Sequence, residues 1–226
     1  MENRYIRNLT TISEDDMKIL KKSKVLIVGC GGLGGYIIEM LSRIGIGNIT
    51  AIDGDVFDET NLNRQLFSSM SNLGRKKVVV AEERVRDVNP SVKFTGYDSI
   101  LTEDNCDEII KGHDVVIDAV DNVTTRLLLE KKCFQYSIPL IHGAIAGWYY
   151  QISVVMPGDN TLSKIYSDSD EKGIETLVGN PSYTPAAAAS TQVSECIKVL
   201  LDKECELKGK LLYVDLLNNT YNIFEI

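Results

Sequence analysis

The sequence predicts an α/β fold: a Rossmann-like, mostly parallel sheet with helices on both faces and antiparallel strands at its C-terminal end. Three observations support this. Short apolar runs of strand length alternate with segments whose apolar residues recur every three or four positions, the pattern of strands and crossover helices. Residues 24–35, Lys-Val-Leu-Ile-Val-Gly-Cys-Gly-Gly-Leu-Gly-Gly, carry one such run into a glycine-rich turn, and 36–44 then takes up helical spacing. Near the end of the chain, 210–216 and 221–226 flank Asn218-Asn219 and read as a hairpin, which makes the last strands antiparallel.

Taken in order, Arg4, Tyr5 and Arg7 precede a short helix that Ser13 can cap, with Glu14, Asp15 and Asp16 favoured in its first turn by the helix dipole. By themselves these arginines read as a solvated arm. Gly29, Gly31 and Gly34 then fit G-x-G-x-x-G. The glycines allow a tight turn, close approach of backbone to a phosphate, and close packing of helix on strand. The helix that follows presents unpaired N–H groups to an anion. Gly45 and Gly47 stop it, and 48–52 forms a second strand that ends at Asp53, roughly 20 residues after the turn, where an acid can accept hydrogen bonds from a ribose. These residues indicate a nucleotide and leave its identity open.

Residues 53–77 bring carboxylates, amides and cations together with little apolar periodicity. Taken alone they read as a polar surface loop. Residues 77–89 are helical by the spacing of Val78, Ala81, Val85 and Val88, and Asn89-Pro90 ends the helix. A strand at 92–97 and a short helix at 103–110 lead to the apolar strand 114–118, which ends in Asp118, Asp121 and Asn122. Ligands of open α/β sheets bind beyond the carboxyl ends of the strands, so Asp118 and Asp121 are expected in the same crevice as the glycine turn. There a carboxylate can hold Mg²⁺ together with substrate phosphates. Asp121 or Asn122 can also cap the helix running to Tyr136. A strand at 140–144, bounded by Gly143 and Gly147, and one at 151–156 precede an aperiodic stretch, 160–185, read as a long crossover loop. A helix at 186–201 leads to the hairpin.

Composition narrows the class. A chain of 226 residues, 44% hydrophobic, suits a single α/β domain spanning 1–226. A net charge of -8 argues against a large nucleic-acid footprint. No apolar run approaches a membrane span and the start lacks a signal-peptide core, so a cytoplasmic protein is expected. The five cysteines are scattered and never spaced C-x-x-C, and there are only two histidines. Neither a disulfide framework nor a zinc site is indicated, and Cys30, Cys133 and Cys196 read as buried small residues.

Together these motifs resemble the ThiF/MoeB/HesA family, prokaryotic relatives of the ubiquitin-activating enzymes. The likeness runs nearly end to end. It rests on Arg4-Tyr-Ile-Arg7, Gly29-Cys-Gly-Gly-Leu-Gly34, Asp53-Gly-Asp55, Asn61-Leu-Asn-Arg64-Gln65, Gly74-Arg-Lys-Lys77, Asp118-Ala-Val-Asp121-Asn122 and Gln192-Val-Ser-Glu195-Cys-Ile-Lys198. The resemblance implies binding of ATP and Mg²⁺ and adenylation of a carboxylate, usually the Gly-Gly end of a small ubiquitin-fold sulfur-carrier protein. It implies that Asp53 holds the ribose, that Arg64 and Lys77 contact phosphates, and that Asp121 binds Mg²⁺. It further implies a homodimer in which Arg7 acts in the partner's site. Gly29, Gly31, Gly32 and Gly34, with Asp55, Asn61, Gln65 and Asn122, complete the implied nucleotide-binding set.

Two departures from the family pattern matter. Many members carry two C-x-x-C pairs for structural zinc, and this chain has neither, so no zinc is expected. Some relatives use a cysteine in the crossover loop for a covalent step, and 160–185 contains none. Adenylation without covalent attachment to the protein is therefore the expectation. The alternatives are the same chemistry on a peptide or modified-tRNA carboxylate, or a non-catalytic nucleotide-binding partner subunit. The density of cations after the glycine turn favours ATP over a nicotinamide cofactor.

Overall fold

Eight strands join into one sheet in a computed structural model that describes residues 2–166 and 178–226. They are β1 (Lys24–Val28), β2 (Asn48–Ile52), β3 (Lys93–Tyr97), β4 (Val115–Asp118), β5 (Leu140–Ala146), β6 (Tyr149–Val155), β7 (Lys210–Asp215) and β8 (Thr220–Glu225), in the order β3-β2-β1-β4-β5-β6-β7-β8. The pairs from β3 through β5 are parallel, and those from β5 to β8 are antiparallel. This is the predicted class. The chain steps from β1 outward to β2 and β3, then crosses back to β4 on the other side of β1. That reversal opens a crevice at the carboxyl ends of β1 and β4.

The central strands are buried on both faces, so they read as unbroken apolar runs. Side chains still alternate: Val25 and Ile27 of β1 enter one core, Leu26 and Val28 the other. The first core is covered by α1 (Glu14–Leu20), α2 (Gly32–Ile44), α3 (Lys77–Val88) and α7 (Tyr183–Leu200). The second is covered by α4 (Cys106–Ile110), α5 (Val123–Tyr136) and α6 (Thr161–Ile165). Ser13 caps α1 as expected, in a reciprocal capping box with Asp16.

Several boundaries differ from the sequence expectation, each for a tertiary reason. Helix α2 begins at Gly32, not at Tyr36, so three glycines of the turn, Gly32, Gly34 and Gly35, lie inside the helix. Strand β5 continues through Gly143 to Ala146. A Cβ at Gly143 would stand 2.3 Å from Cδ of Gln192 on α7, so this glycine marks a close approach within a strand and not a strand end. Helix α7 begins at Tyr183 and takes Pro185 into its first turn, where a missing N–H costs nothing. Helix α4 starts at Cys106, because Asn105 turns back to accept from the Thr102 N–H. The expected loop 160–185 is partly helical. Glu130 accepts from the backbone N–H groups of Leu162 and Ser163, satisfying the start of α6, while 167–177 lies outside the described residues.

The tightest contact is between the start of α2 and the end of β1. A Cβ at Gly34 would fall 1.8 Å from the Gly29 carbonyl oxygen, whereas one at Gly35 would meet nothing nearer than 3.7 Å. Backbone cannot swing aside as a side chain can. Gly34→Ala is therefore expected to destabilise by about 3 kcal/mol or more, the upper end of overpacking costs. Gly35→Ala should leave stability unchanged or raise it by up to about 1 kcal/mol through helix propensity. Urea midpoints of the two adjacent variants check this, and equal midpoints would refute it.

Candidate functional site

A cavity of about 580 Å³ opens at the switch point between β1 and β4. Its volume lies within the range of small-molecule sites. The glycine turn, the segment after β2, Arg64, Gln65, Lys77, residues 99–101, the loop 119–122 and Asn180 line it. The turn exists because Gly29 adopts a positive φ of 102° and packs where a Cβ would lie 2.6 Å from the Ala119 carbonyl oxygen. That contact presses the β4 loop against the β1 loop.

Asp53 ties the walls together. One carboxylate oxygen accepts from the Cys30 N–H at 2.7 Å and the other from the Asp55 N–H at 2.8 Å. Each oxygen retains a lone pair, so the carboxylate can still accept hydroxyl donors. Arg64 is held by the Thr60 carbonyl and by Asn63 Oδ1, both 2.9 Å from Nη1. Lys77 is the first residue of α3 and only 6% exposed. Its Nζ lies 2.9 Å from Asp55 Oδ2, and Asp55 is itself largely exposed. A cation at a helix N-terminus opposes the dipole, so Lys77 occupies a position that helix stability does not favour. Asp121 lines the cavity, and its carboxylate has no hydrogen bond or ion pair among the described residues. Asn122 caps α5 by accepting from the Thr125 N–H at 2.8 Å.

Of the expected site residues, Gly29, Gly31, Gly32, Asp53, Asp55, Arg64, Gln65, Lys77, Asp121 and Asn122 meet at this cavity. Gly34 sits behind it as a packing glycine. Asn61 does not line the cavity. It is buried and organises the turn that carries Arg64 and Gln65, whose backbone N–H groups donate to its carbonyl. Arg7 is exposed and outside the cavity. It follows Tyr5, which packs against Gly45 at the opposite end of α2, about 20 Å along the helix from the glycine turn.

Asp118 corrects the expectation that it faces the crevice. It is fully buried, with Oδ2 2.6 Å from His142 Nδ1 and 3.4 Å from Arg126 Nε. Sequence reasoning also missed Thr125, Arg126 and Asn180. Arg126 left a signal, since it falls on the same helical stripe as Val123, Leu129 and Cys133, where a charge is out of place. Asn180 left none beyond lying in an aperiodic stretch.

The donor set suits a nucleotide. Gln65 Oε1 and Asn180 Oδ1 are buried, lack partners, and belong to residues on the cavity wall, so a ligand with hydroxyl or amino donors would satisfy them. Among the described residues no group of three His, Cys, Asp or Glu side chains could cage a metal. A single carboxylate without a partner among the described residues, on a wall shared with Arg64 and Lys77, suits Mg²⁺, which is typically held by one or two acids plus substrate phosphates. All five cysteines are buried, and burial is the main cause pushing each thiol up, Cys133 to about 12 and Cys205 to about 11. None is a ready thiolate.

Comparison with known proteins agrees with this geometry. The model of the ThiF family matches residues 3–226. A molybdopterin-synthase adenylyltransferase of Haemophilus influenzae is 34% identical over 221 residues, covering 95% of this chain and 90% of that protein. A SAMP-activating enzyme E1 of Haloferax volcanii is 32% identical, covering 97% and 83%. The sulfur carrier protein ThiS adenylyltransferase of Bacillus subtilis is 32% identical, covering 91% and 63%. Among solved structures, Escherichia coli MccB with MccA-N7isoASN shares the fold, with a TM-score of 0.86 at 21% identity over 99% of this chain and 71% of that one.

The buried polar centre gives a pH dependence. Burial holds the His142 imidazole below its ordinary value of 6.5, so the folded protein resists a proton that the unfolded chain accepts. This contribution to stability is intact above that pH and is lost as the pH falls below it, with a limiting slope of about 1.4 kcal/mol per pH unit. Urea midpoints measured from about pH 7.5 to 5.5 should fall in the wild type and fall less in His142→Gln. Parallel curves would show that His142 titrates alike in the folded and unfolded chain, and would refute the shift.

Proposed function

The chain belongs to the ThiF family, and on that premise we propose that it is an adenylyltransferase activating the C-terminal carboxylate of a small ubiquitin-fold sulfur-carrier protein with ATP. The observation that carries this reading is the convergence, at one switch-point cavity, of a glycine turn at a helix N-terminus, two cations of different geometry and one carboxylate without a partner among the described residues.

The chemistry follows from that set. A carboxylate oxygen of the carrier forms a bond to the α-phosphorus as the bond from that phosphorus to the β-bridging oxygen breaks. Pyrophosphate takes the electron pair. Substrate supplies the nucleophile, so the protein has only to align two anions and stabilise charge that grows on the leaving group. Arg64 offers a planar fork for phosphate oxygens, and Lys77 a point charge. Asp53 accepts from the ribose in this reading, through the lone pairs its two backbone hydrogen bonds leave. Mg²⁺, when bound with ATP, neutralises charge on the departing phosphates, and Asp121 is the residue that would hold it. With five buried thiols and no cysteine in 160–185, the adenylated carboxylate is the product that leaves.

We read the assembly as a homodimer in which Arg7 of one protomer completes its partner's cavity, since it stands far from its own. No helix of the described residues is long and apolar enough to cross a membrane, and we take the protein to act in the cytoplasm as a single adenylation domain.

Incubation with a Gly-Gly-ended carrier, ATP and Mg²⁺ should give carrier-dependent exchange of pyrophosphate into ATP. Lys77→Ala and Asp121→Ala should each lower it about 100-fold or more, the cost of removing a transition-state charge partner. No exchange with any carrier encoded beside this protein would refute the reading. A second experiment addresses assembly. Arg7→Ala and Asp121→Ala, each inactive alone, should regain part of the activity when mixed, because a hybrid dimer contains one intact site. Failure to recover despite demonstrated subunit exchange would exclude the trans role.

A further inference from the structure

Asp121 is the residue on which metal binding rests in the proposed reaction, yet no side chain among the described residues holds it. Its position is set through the residue before it. Val120 is gripped by both of its backbone groups: its N–H donates to Asp118 Oδ1 at 3.1 Å, and its carbonyl accepts from Arg126 Nη2 at 2.8 Å. Asp118 and Arg126 are paired with each other at 3.4 Å and are 0% and 4% exposed. The same loop is pressed from its other side by the glycine turn, at Ala119.

This pair stands on a second layer. His142 Nδ1 lies 2.6 Å from the other oxygen of Asp118. The Tyr166 hydroxyl lies 3.1 Å from His142 Nε2, and Gln151 Nε2 lies 2.5 Å from that hydroxyl. A neutral imidazole with its proton on Nδ1 satisfies both sides: it donates to Asp118 and accepts from Tyr166, which in turn accepts from Gln151. The Arg126 guanidinium also sits over the Tyr166 ring, 5.3 Å from its centre.

The simplest alternative is a polar network that only fills the core. Buried ion pairs seldom justify themselves by stability, because apolar residues of similar volume often serve as well or better. Capping of α5 does not require this one either, since Asn122 performs it. What the pair does that an apolar pair could not is hold two backbone groups of the loop next to Asp121. We propose that Asp118 and Arg126, backed by His142, are positioning residues that fix the Asp121 carboxylate for a divalent cation bound with ATP. The inference rests on the functional reading above. Partners one shell out from a metal ligand typically matter by about 10- to 100-fold in metal affinity.

Arg126→Lys tests this. It keeps the charge but loses the fork that reaches Asp118 and the Val120 carbonyl together. Mn²⁺ serves as the probe, titrated into protein saturated with ATP and followed by electron paramagnetic resonance. Calorimetry gives ATP affinity without metal, and amide hydrogen exchange of the 115–125 peptide reports on the loop. The expected result is Mn²⁺ binding weakened about tenfold or more, metal-free ATP affinity within about twofold, and faster exchange in the peptide. Should Arg126→Lys fail to fold, the isosteric Asp118→Asn carries the same expectation. A folded variant with wild-type Mn²⁺ affinity would overturn the positioning role, whatever its melting temperature. Asp121→Asn separates the two levels of the argument. If it loses Mn²⁺ binding while Arg126→Lys and Asp118→Asn keep it, only the positioning role fails. If the wild type binds no ATP, the functional reading fails with it.

Discussion

The structure depends on one steric constraint, the closure of the first turn of α2 onto the end of β1. Because Gly34 has no Cβ, the helix backbone can approach the Gly29 carbonyl at a distance that excludes every other residue. Three consequences follow from that approach. The start of α2, with its unpaired N–H groups, lines the crevice at Gly32 and Leu33. The turn at Gly29 touches Ala119 and so sets the spacing between the β1 and β4 loops. Helix α2 also lies low enough on the sheet for α7 to pack beside it, through Ala188 and Ala189, and to send Gln192 against the bare backbone of Gly143. A packing requirement at the start of one helix thereby shapes the whole site.

Electrostatics then fills that shape in ways that do not favour stability. Lys77 is a nearly buried cation at a helix N-terminus, paired with an exposed Asp55, and Arg64 spends part of its fork on the backbone of its own turn. Asp53 commits both carboxylate oxygens to backbone donors and ties two loops together before any ligand arrives. The chain carries a net charge of -8, and its cavity sets Arg64, Lys77 and Arg126 among Asp53, Asp55 and Asp121 beside a turn that favours an anion.

The sequence announced what is local and concealed what is distant. Strands, the glycine turn, the Ser13 and Asn122 caps and the hairpin are written in residues within a few positions of one another, so periodicity and turn chemistry reveal them. Gly143 looked like a strand end because the side chain that needs its space, Gln192, lies 49 positions later. Asp118 and Asp121 looked equivalent at the end of one strand. What separates them is His142 and Arg126, brought from β5 and α5 to pull one carboxylate inward and leave the other on the cavity wall. Asn61 shows the same limit in reverse, since the residue inside the motif proves to organise its turn and not to face the cavity.

The buried thiols bear on where the proposed reaction must stop. An adenylated carboxylate is a mixed anhydride, which reacts with any good nucleophile that reaches it. A protein that went on to form a thioester would need a thiol with access to the cavity and an environment favouring the thiolate. Here Cys30 lies directly beneath the glycine turn, and yet it is 1% exposed, pushed up first by burial and then by the neighbouring Asp53, with Lys77 only partly opposing. The cysteine beneath the glycine turn is thus held as a neutral packing group. In the proposed reaction, then, no thiol of this chain is readied to take up the anhydride.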